Sequence, residues 1–255
     1  MSDAVICRDL WKSYRPRRPI GLKSFVVGPR SAAEGDRFVR QWALAGVNFR
    51  VAKGQAFGVV GHNGSGKTTL LSVLLGTIRK ERGEVDVRGR VASLLELGAG
   101  FHGELTGREN VALYGSILGM TLREIRERFD AIVEFSELDR AIDSPLRTYS
   151  AGMIVRLGFS IIMHSPADVF LIDEVLAVGD ARFQDKCRHH LREFKKRNGT
   201  LVIVSHNMAE LSEICDEGIC LELGEVVEEG PIERVIAGYR ARSATPPPVA
   251  SAARP

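Results

Sequence analysis

The chain has 255 residues, of which 44% are hydrophobic and 26% charged, and its formal net charge is +3. This composition is typical of a soluble globular protein with one large domain or two small ones. The small net charge argues against nucleic acid as a main partner. Its four cysteines, Cys7, Cys187, Cys215 and Cys220, form no Cys-x-x-Cys pair, which disfavours a zinc or redox site and predicts reduced thiols.

The apolar stretches of the sequence are short. Residues 56–60 and 169–172 are examples, and both fall well below the roughly 18 apolar residues of a membrane-spanning helix. The N-terminus also lacks the apolar core of a signal peptide. If the protein takes part in membrane transport, we therefore expect another chain to supply the path.

The first part of the chain combines strands with one helix and one long irregular stretch. In chain order, the predicted elements are a strand at 5–7, a basic irregular stretch at 15–40, a strand at 55–60, a helix from a glycine-rich loop to about Gly76, and a strand or hairpin at 84–91.

The central part of the sequence, at about residues 100–165, is predicted to be mainly helical. Thr106-x-x-Glu109 and Thr121-x-x-Glu124 match the capping box, in which a hydroxyl and a carboxylate satisfy free amides at the start of a helix. The predicted helices run over 107–118, over 122–135, and from near Ser150 to before Pro166.

Strands and helices alternate after this helical part. Strands are predicted at 169–172 and 200–204, and helices near 182–197 and 208–214. Such alternation predicts a parallel sheet with helices on its faces. Residues 243–255, which include three successive prolines, are predicted to form a flexible tail.

The strongest motif is a glycine-rich loop at residues 61–68, Gly-His-Asn-Gly-Ser-Gly-Lys-Thr. It fits G-x-x-x-x-G-K-[ST] at every fixed position, follows an apolar strand and precedes a helical pattern. The glycines let successive N–H groups face one anion, and the helix N-terminus adds positive potential. We expect Lys67 to contact the β- and γ-phosphates of a nucleotide and the Thr68 hydroxyl to hold Mg²⁺. The predicted nucleotide-binding residues of this loop are Gly61, Asn63, Gly64, Ser65, Gly66, Lys67, Thr68 and Thr69.

Two acidic residues, Asp173 and Glu174, end the apolar strand at 169–172. We expect Asp173 to hold the hydration shell of Mg²⁺, and Glu174 to orient and deprotonate an attacking water. A strand end solvated by two carboxylates is the alternative, and the phosphate loop upstream favours the catalytic interpretation.

With these two motifs, the sequence resembles the ATP-hydrolysing subunits of ABC transporters, and further features follow in that family's order. Ser150-Ala151-Gly152-Met153 stands where the family has its signature motif. The resemblance implies that Ser150 and Gly152 meet the γ-phosphate of a nucleotide held by the opposing subunit. A capped helix start is the alternative for this segment.

The resemblance assigns roles to four more positions. His206 matches the switch histidine that contacts the γ-phosphate, and Glu96 stands in place of the Q-loop glutamine, where its carboxylate would reach Mg²⁺ or water. Tyr14 is placed to stack on adenine, with Trp11 as a rival. Asp180 matches the D-loop aspartate, or else serves as the N-cap of the following helix.

The family also implies a fold and an activity. The expected fold is α/β, a P-loop nucleotide-hydrolase core with a mainly parallel sheet, an antiparallel β part near the N-terminus and a helical subdomain at about 100–165. One ATPase domain would span residues 1–242, with a basic insertion at about 15–40. The resemblance implies ATP and Mg²⁺ as cofactors, with Lys67, Glu174 and His206 as the catalytic residues.

Four segments are similar to one subfamily, which exports bacterial surface polysaccharides such as O-antigen, capsule or teichoic acid. They are residues 96–101, 105–110, 149–153 and 177–180. This likeness implies a homodimer at the cytoplasmic face of the inner membrane, two copies of a polytopic membrane subunit, a lipid-linked glycan as substrate, and no nucleic acid. A C-terminal carbohydrate-binding domain, present in some members, is not expected in a sequence that ends soon after Tyr239. The alternatives are an ABC exporter of a drug or lipid, and a soluble ABC ATPase acting on ribosomes or DNA.

The basic stretch at residues 15–40 leads to a separate hypothesis. Between Lys12 and Arg40 the sequence has eight Lys or Arg residues against two acidic ones. We expect this stretch to lie beside the membrane surface and to attract anionic headgroups or the diphosphate of the substrate. A solvated basic loop is the alternative.

Overall fold

The computed structural model describes residues 2–14, 41–95, 97–173 and 179–243. The predictions made for Glu96, Glu174, residues 15–40 and residues 244–255 lie outside this part of the chain.

The described residues form nine strands and seven α-helices. The strands are β1 (Asp3–Tyr14), β2 (Gln41–Ala52), β3 (Ala56–Val60), β4 (Arg82–Val87), β5 (Val91–Ser93), β6 (Val169–Ile172), β7 (Thr200–Val204), β8 (Glu217–Glu222) and β9 (Glu225–Pro231). The helices are α1 (Lys67–Leu75), α2 (Gly107–Ile117), α3 (Leu122–Ser136), α4 (Ala151–Met163), α5 (Ala181–Lys196), α6 (Met208–Ile214) and α7 (Ile232–Ser243), with a short 3₁₀ helix at Leu146–Thr148.

A three-stranded antiparallel sheet, in the order β2–β1–β4, contains the N-terminal strands. Its buried face carries alternate residues of β2, Val47, Phe49 and Val51, because successive side chains of a strand point to opposite faces. The sheet thereby packs an apolar face against β3 and α1. This packing places the end of β1 and the start of β2 next to the loop between β3 and α1.

A second sheet has six strands in the order β5–β6–β7–β3–β8–β9. All its pairs are parallel except β8 with β9. Every residue of β3, β6 and β7 is buried, as expected for parallel strands with both faces covered. Since β6, β7 and β3 are neighbours, the loops that leave their carboxyl ends meet at one edge of the sheet.

The central part of the chain is helical and begins with two well-formed helix caps. The predicted capping boxes, Thr106 with Glu109 and Thr121 with Glu124, are both present. Near the start of α2, the buried side-chain amide of Asn110 donates to the carbonyls of His102, Leu105 and Thr106 at 2.9–3.0 Å. This amide fixes the turn that leads from the sheet into the helices.

Several predicted elements match the structure closely, and a few do not. β6, β7 and α6 have the predicted bounds. Of the predicted strand or hairpin at 84–91, the strand is confirmed in part by β4, whereas the hairpin is wrong, because β4 lies in the antiparallel sheet and β5 in the mostly parallel one. Ser243, assigned to the flexible tail, is the last residue of α7. β2, β8, β9 and α7 were not predicted.

All four cysteines are free and buried, and burial raises the pKa of the Cys7, Cys187 and Cys215 thiols to about 12. Within the described ranges, no helix is both long enough and apolar enough to span a bilayer.

Candidate nucleotide-binding site

The glycine-rich loop connects β3 to α1 and is pressed against its neighbours. Gly66, at the N-cap of α1, has φ 109°, and a Cβ there would lie 2.3 Å from the Ala43 carbonyl oxygen. A Cβ on Gly61 would lie 2.4 Å from the Leu221 carbonyl oxygen. Both positions therefore require glycine, because any side chain would push the loop away from β2 or β8.

Lys67 begins α1 and is only 6% exposed. Its ammonium group donates hydrogen bonds to the carbonyl oxygens of Gly61 at 2.7 Å and His62 at 2.9 Å. These hydrogen bonds fold the Lys67 side chain back over the phosphate loop, so that its ammonium group lies beside the backbone of the loop. The arrangement attracts an anion to this point.

Ser65 and Gly64 show that the loop suits phosphate. The Ser65 side chain is buried, and its Oγ has no hydrogen-bond partner among the described residues. A Cβ on Gly64, which has φ 79°, would meet no atom within 4 Å. A buried hydroxyl that lacks a partner, beside open space and a fixed ammonium, fits a phosphate oxygen as acceptor.

Thr68 and Asp173 meet at the edge of the sheet although they are far apart in sequence. The Thr68 hydroxyl donates to Asp173 Oδ2 at 3.3 Å, and Asp173 directly follows β6. Hydroxyl and carboxylate oxygens are the ligands that Mg²⁺ prefers, so this pair fits a magnesium ion bound beside the phosphates. Glu96, the third residue predicted to bind the metal, lies outside the described part of the chain.

His206 follows β7 and faces the same loop. Its Nε2 lies 3.0 Å from Asn63 Oδ1. The predicted switch histidine and the phosphate loop are therefore in contact. His206 and Asn63 are both exposed, so a ligand of the loop can reach them.

A cavity of about 510 Å³ is lined by phosphate-loop residues and by Asp173, whereas Gly61, Ser65 and His206 are not among its lining residues. Tyr14, which is 45% exposed, lines it from the end of β1, and Trp42 lines it from the start of β2. Trp11 does not line the cavity and instead packs edge-to-face on Trp42, with ring centroids 5.1 Å apart. Aromatic faces at the rim suit a planar base.

Trp42 was not identified as a site residue from the sequence, because β2 was not predicted. The alternation of Val47, Phe49 and Val51 with other residues is nevertheless the pattern of a strand. The remaining lining residues are Gln41, Ala43, Asn63, Gly64, Gly66, Lys67, Thr68, Thr69 and Asp173.

Ser150 and Gly152 do not line the cavity beside the phosphate loop. Ser150 is the N-cap of α4, and its Oγ accepts a hydrogen bond from Met153 N at 3.2 Å. Both residues line a second cavity of about 740 Å³, which shares no residue with the first. Within one chain the structure thus does not bring them to the phosphate loop, and their contact with the nucleotide of an opposing subunit stays a prediction.

Asp180 also lines the second cavity, and it is an N-cap. One carboxylate oxygen accepts from Phe183 N at 2.9 Å at the start of α5, and the other pairs with Arg156. The Phe183 amide, together with the charge of Arg156, lowers the pKa of this carboxyl below its ordinary value. The capping alternative for Asp180 is therefore what the structure shows.

Comparisons with known proteins agree with this geometry. The family described as "ABC transporter" matches residues 44–177, just over half of the chain. The O-antigen export system ATP-binding protein RfbB of Klebsiella pneumoniae is 46% identical over 220 residues, which cover 86% of this chain and 89% of that protein. The teichoic acids export ATP-binding protein TagH of Lactococcus lactis is 42% identical over 214 residues, 84% of this chain but 45% of that protein.

Solved structures support the fold. The ATP-binding subunit of an ABC transporter aligns with a TM-score of 0.74 at 21% identity, covering 93% of this chain and 94% of that one. A dimeric ATP-binding cassette in a post-hydrolysis state with ADP and Pi aligns with a TM-score of 0.69 at 20% identity, covering 89% and 98% of the two chains. The predicted fold class is thus confirmed. By its sequence, its fold and its phosphate loop, the chain belongs to the ABC transporter family of ATP-hydrolysing domains.

Proposed function

We propose that this chain binds and hydrolyses ATP to drive the export of a lipid-linked polysaccharide, of the O-antigen, capsule or teichoic acid type, across the cytoplasmic membrane. The observation that carries the proposal is the 46% identity to an O-antigen export ATP-binding protein over 89% of that protein's length. The similarity to a teichoic acid export protein supports the same class of cargo.

The first cavity would hold the nucleotide. The adenine base would pack on Tyr14, with Trp42 beside it, and Lys67 would contact the β- and γ-phosphates. Thr68 and Asp173, whose oxygens lie 3.3 Å apart, would hold Mg²⁺, and Glu96 would approach the ion as a carboxylate. The bound metal neutralises charge on the phosphate oxygens.

Hydrolysis needs a base and a network of donors around the γ-phosphate. Glu174, one residue beyond Asp173, would accept the proton of the attacking water. His206 and Lys67 would donate to the oxygens of the γ-phosphate, where negative charge develops. Ser150 and Gly152 of a second copy would complete the site from the opposite side, using the positive N-terminal end of α4.

This arrangement implies a homodimer with two ATP molecules between its subunits. The dimer would bind two copies of a polytopic membrane subunit at the cytoplasmic face of the inner membrane, as a peripheral component. The basic stretch at residues 15–40 would lie near the membrane surface, where its charges attract anionic headgroups or the diphosphate of the substrate.

The test is to co-purify the chain with the polytopic membrane protein encoded beside it and to measure ATP hydrolysis with and without lipid-linked glycan. Stable association and a rate that rises with the glycan are expected. A rate that responds to a drug or to lipid alone would assign a different cargo. Failure to bind the membrane protein, with hydrolysis stimulated by ribosomes or DNA, would move the chain to the soluble class.

A further inference from the structure

A buried carboxylate lies directly behind the loop that carries His206. Glu210, in the first turn of α6, is only 7% exposed. Its Oε2 accepts a hydrogen bond from the Ser205 hydroxyl at 3.3 Å, whereas Oε1 has no hydrogen-bond partner among the described residues. Burying a carboxylate that is only half satisfied costs free energy, and an apolar side chain of similar length would avoid that cost. A glutamate at this point therefore calls for a role other than packing.

The contacts of Glu210 differ from those of an ordinary helix cap. In a capping box, the glutamate accepts directly from the N-cap amide, as Glu109 accepts from Thr106 N at 2.8 Å. At α6 the N-cap is Asn207, whose side chain accepts from Glu210 N at 3.3 Å, but the Asn207 amide donates to Ser205 Oγ at 3.0 Å. The Ser205 hydroxyl is thus inserted between the N-cap amide and the carboxylate.

The hydrogen bonds among Ser205, Asn207 and Glu210 hold the chain on both sides of His206. The two residues that they tie down, Ser205 and Asn207, are the immediate neighbours of His206 in the chain. The Ser205 hydroxyl contacts the Glu210 carboxylate directly, and the Asn207 amide reaches it only through that hydroxyl. The carboxylate thus holds the hydroxyl that ties together the backbone on each side of the histidine. Held in this way, the imidazole lies 3.0 Å from Asn63 of the phosphate loop.

We infer that Glu210 is a positioning residue for His206. Through the Ser205 hydroxyl its buried carboxylate fixes the turn at residues 205–207, so that the imidazole faces the terminal phosphate of ATP. Glu210 acts without touching the nucleotide. The inference rests on the proposed function, because it takes His206 to contact the γ-phosphate.

The chain offers a matched control on the same helix. Glu213 lies three residues after Glu210, is exposed, and pairs with Arg192 at the surface. Replacing either glutamate by methionine removes one carboxylate from α6 at nearly constant side-chain length. Only the change at Glu210 disconnects the Ser205 hydroxyl. Because buried charges replaced by apolar groups of similar volume are often neutral or stabilising, Glu210→Met separates positioning from structural support.

The experiment measures binding of Mg²⁺ complexes of ADP and of the non-hydrolysable ATP analogue adenylyl imidodiphosphate to the full chain. For Glu210→Met we expect the Kd of the analogue to rise about tenfold, equivalent to about 1.4 kcal/mol, while the Kd of ADP stays within a factor of about two. Ser205→Ala should behave in the same way, and Glu210→Gln, which keeps an oxygen for the Ser205 hydroxyl, should recover most of the loss. Glu213→Met should match the wild type.

A double substitution shows whether Glu210 acts through His206. His206→Ala should weaken the analogue and spare ADP, and adding Glu210→Met should weaken it no further. The inference is overturned if Glu210→Met weakens both nucleotides equally, if it leaves both unchanged, or if its effect adds in full to that of His206→Ala. Should Glu210→Met not fold, Ser205→Ala and its combination with His206→Ala decide the matter. A wild-type chain that binds neither nucleotide would instead refute the proposed function.

Discussion

The guanidinium group of Arg156, on α4, is hydrogen-bonded to the carboxylate of Asp180, which caps α5. The same guanidinium donates to Glu137 at 3.2 Å, and its carbon lies 5.3 Å from the centroid of the Phe183 ring. Only 21% of the Arg156 side chain is exposed. One cation therefore joins the helical part, through α3 and α4, to the core at the start of α5.

Loss of this cation should weaken the junction. For Arg156→Met we expect the free energy of unfolding to fall by about 1 kcal/mol, because the half-buried Glu137 and the exposed Asp180 both lose a charged hydrogen-bond donor. Denaturant unfolding measures the change. The control is Arg108→Met, which breaks an exposed pair with Asp143 and should cost much less. Equal small losses in the two variants would show that Arg156 adds no particular stability.

A substitution at Gly152 should separate stability from activity. A Cβ there would meet only Ser150 Oγ, at 3.9 Å, so a single chain does not require glycine at this exposed helical position. Gly152→Ala should raise the free energy of unfolding by up to about 1 kcal/mol, through helix propensity, and should lower ATP hydrolysis if a second subunit approaches here. Thermal unfolding and steady-state hydrolysis measure the two effects. Ser116→Ala, on the exposed face of α2, is the control that should leave hydrolysis unchanged. A Gly152→Ala chain with wild-type turnover would contradict the proposed subunit contact.

Glu174 can be tested as the base. Glu174→Gln should retain ATP binding and lower turnover by a factor on the order of 10²–10⁴, because the amide cannot accept the proton of the attacking water. Nucleotide binding and hydrolysis, measured on the same preparation, separate the two steps. Glu193→Gln, at a partly exposed carboxylate on α5 that pairs with Lys196, is a suitable control for the change of charge. Wild-type turnover in Glu174→Gln would assign the base to another residue.

Two histidines should make the fold sensitive to acid. His164 Nδ1 lies 2.8 Å from the Ser160 carbonyl oxygen and His190 Nε2 lies 2.8 Å from that of Met163, at the end of α4. Burial lowers the pKa of both imidazoles, and that of His190 falls from its ordinary value of 6.5 to about 4.

Because the unfolded chain binds the His190 proton at higher pH than the folded chain does, stability falls as the pH drops from 6.5 to about 4. This titration contributes a slope of at most about 1.4 kcal/mol per pH unit, and His190→Gln should remove it. Urea unfolding of both proteins across this window measures the slopes. Parallel stability curves for the variant and the wild type would contradict the assignment.

The strands that could be predicted most closely from the sequence are those in which every residue is buried. β3, β6 and β7 are short apolar runs because both faces of the parallel sheet are covered. The break between β4 and β5 could not be predicted, because a local sequence pattern does not show which sheet a strand joins. Gly89 lies between the two strands, and a Cβ there would lie 2.5 Å from Asp168, a residue remote in sequence.

Some residues of the site could likewise be predicted from the sequence, and others could not. The phosphate loop and Asp173 could be predicted, since a motif fixes the loop and neighbouring parallel strands bring their carboxyl ends together. Arg156 and Glu210 could not, because each has the sequence surroundings of an ordinary surface residue on a helix. Their burial and their partners come from the packing of helices against each other and against the sheet.

Tyr14 ends β1 and pairs across the antiparallel ladder with Gln41, the first residue of β2. The chain therefore leaves the sheet and returns to it at one hydrogen-bonded rung, on the rim of the cavity that would hold the nucleotide. A connection attached at a single rung can change in length without disturbing the strand register, since each doubling of a flexible loop costs only about 0.6 kcal/mol. An insertion or a deletion at this rung would therefore leave the strand pairing and the phosphate loop in place.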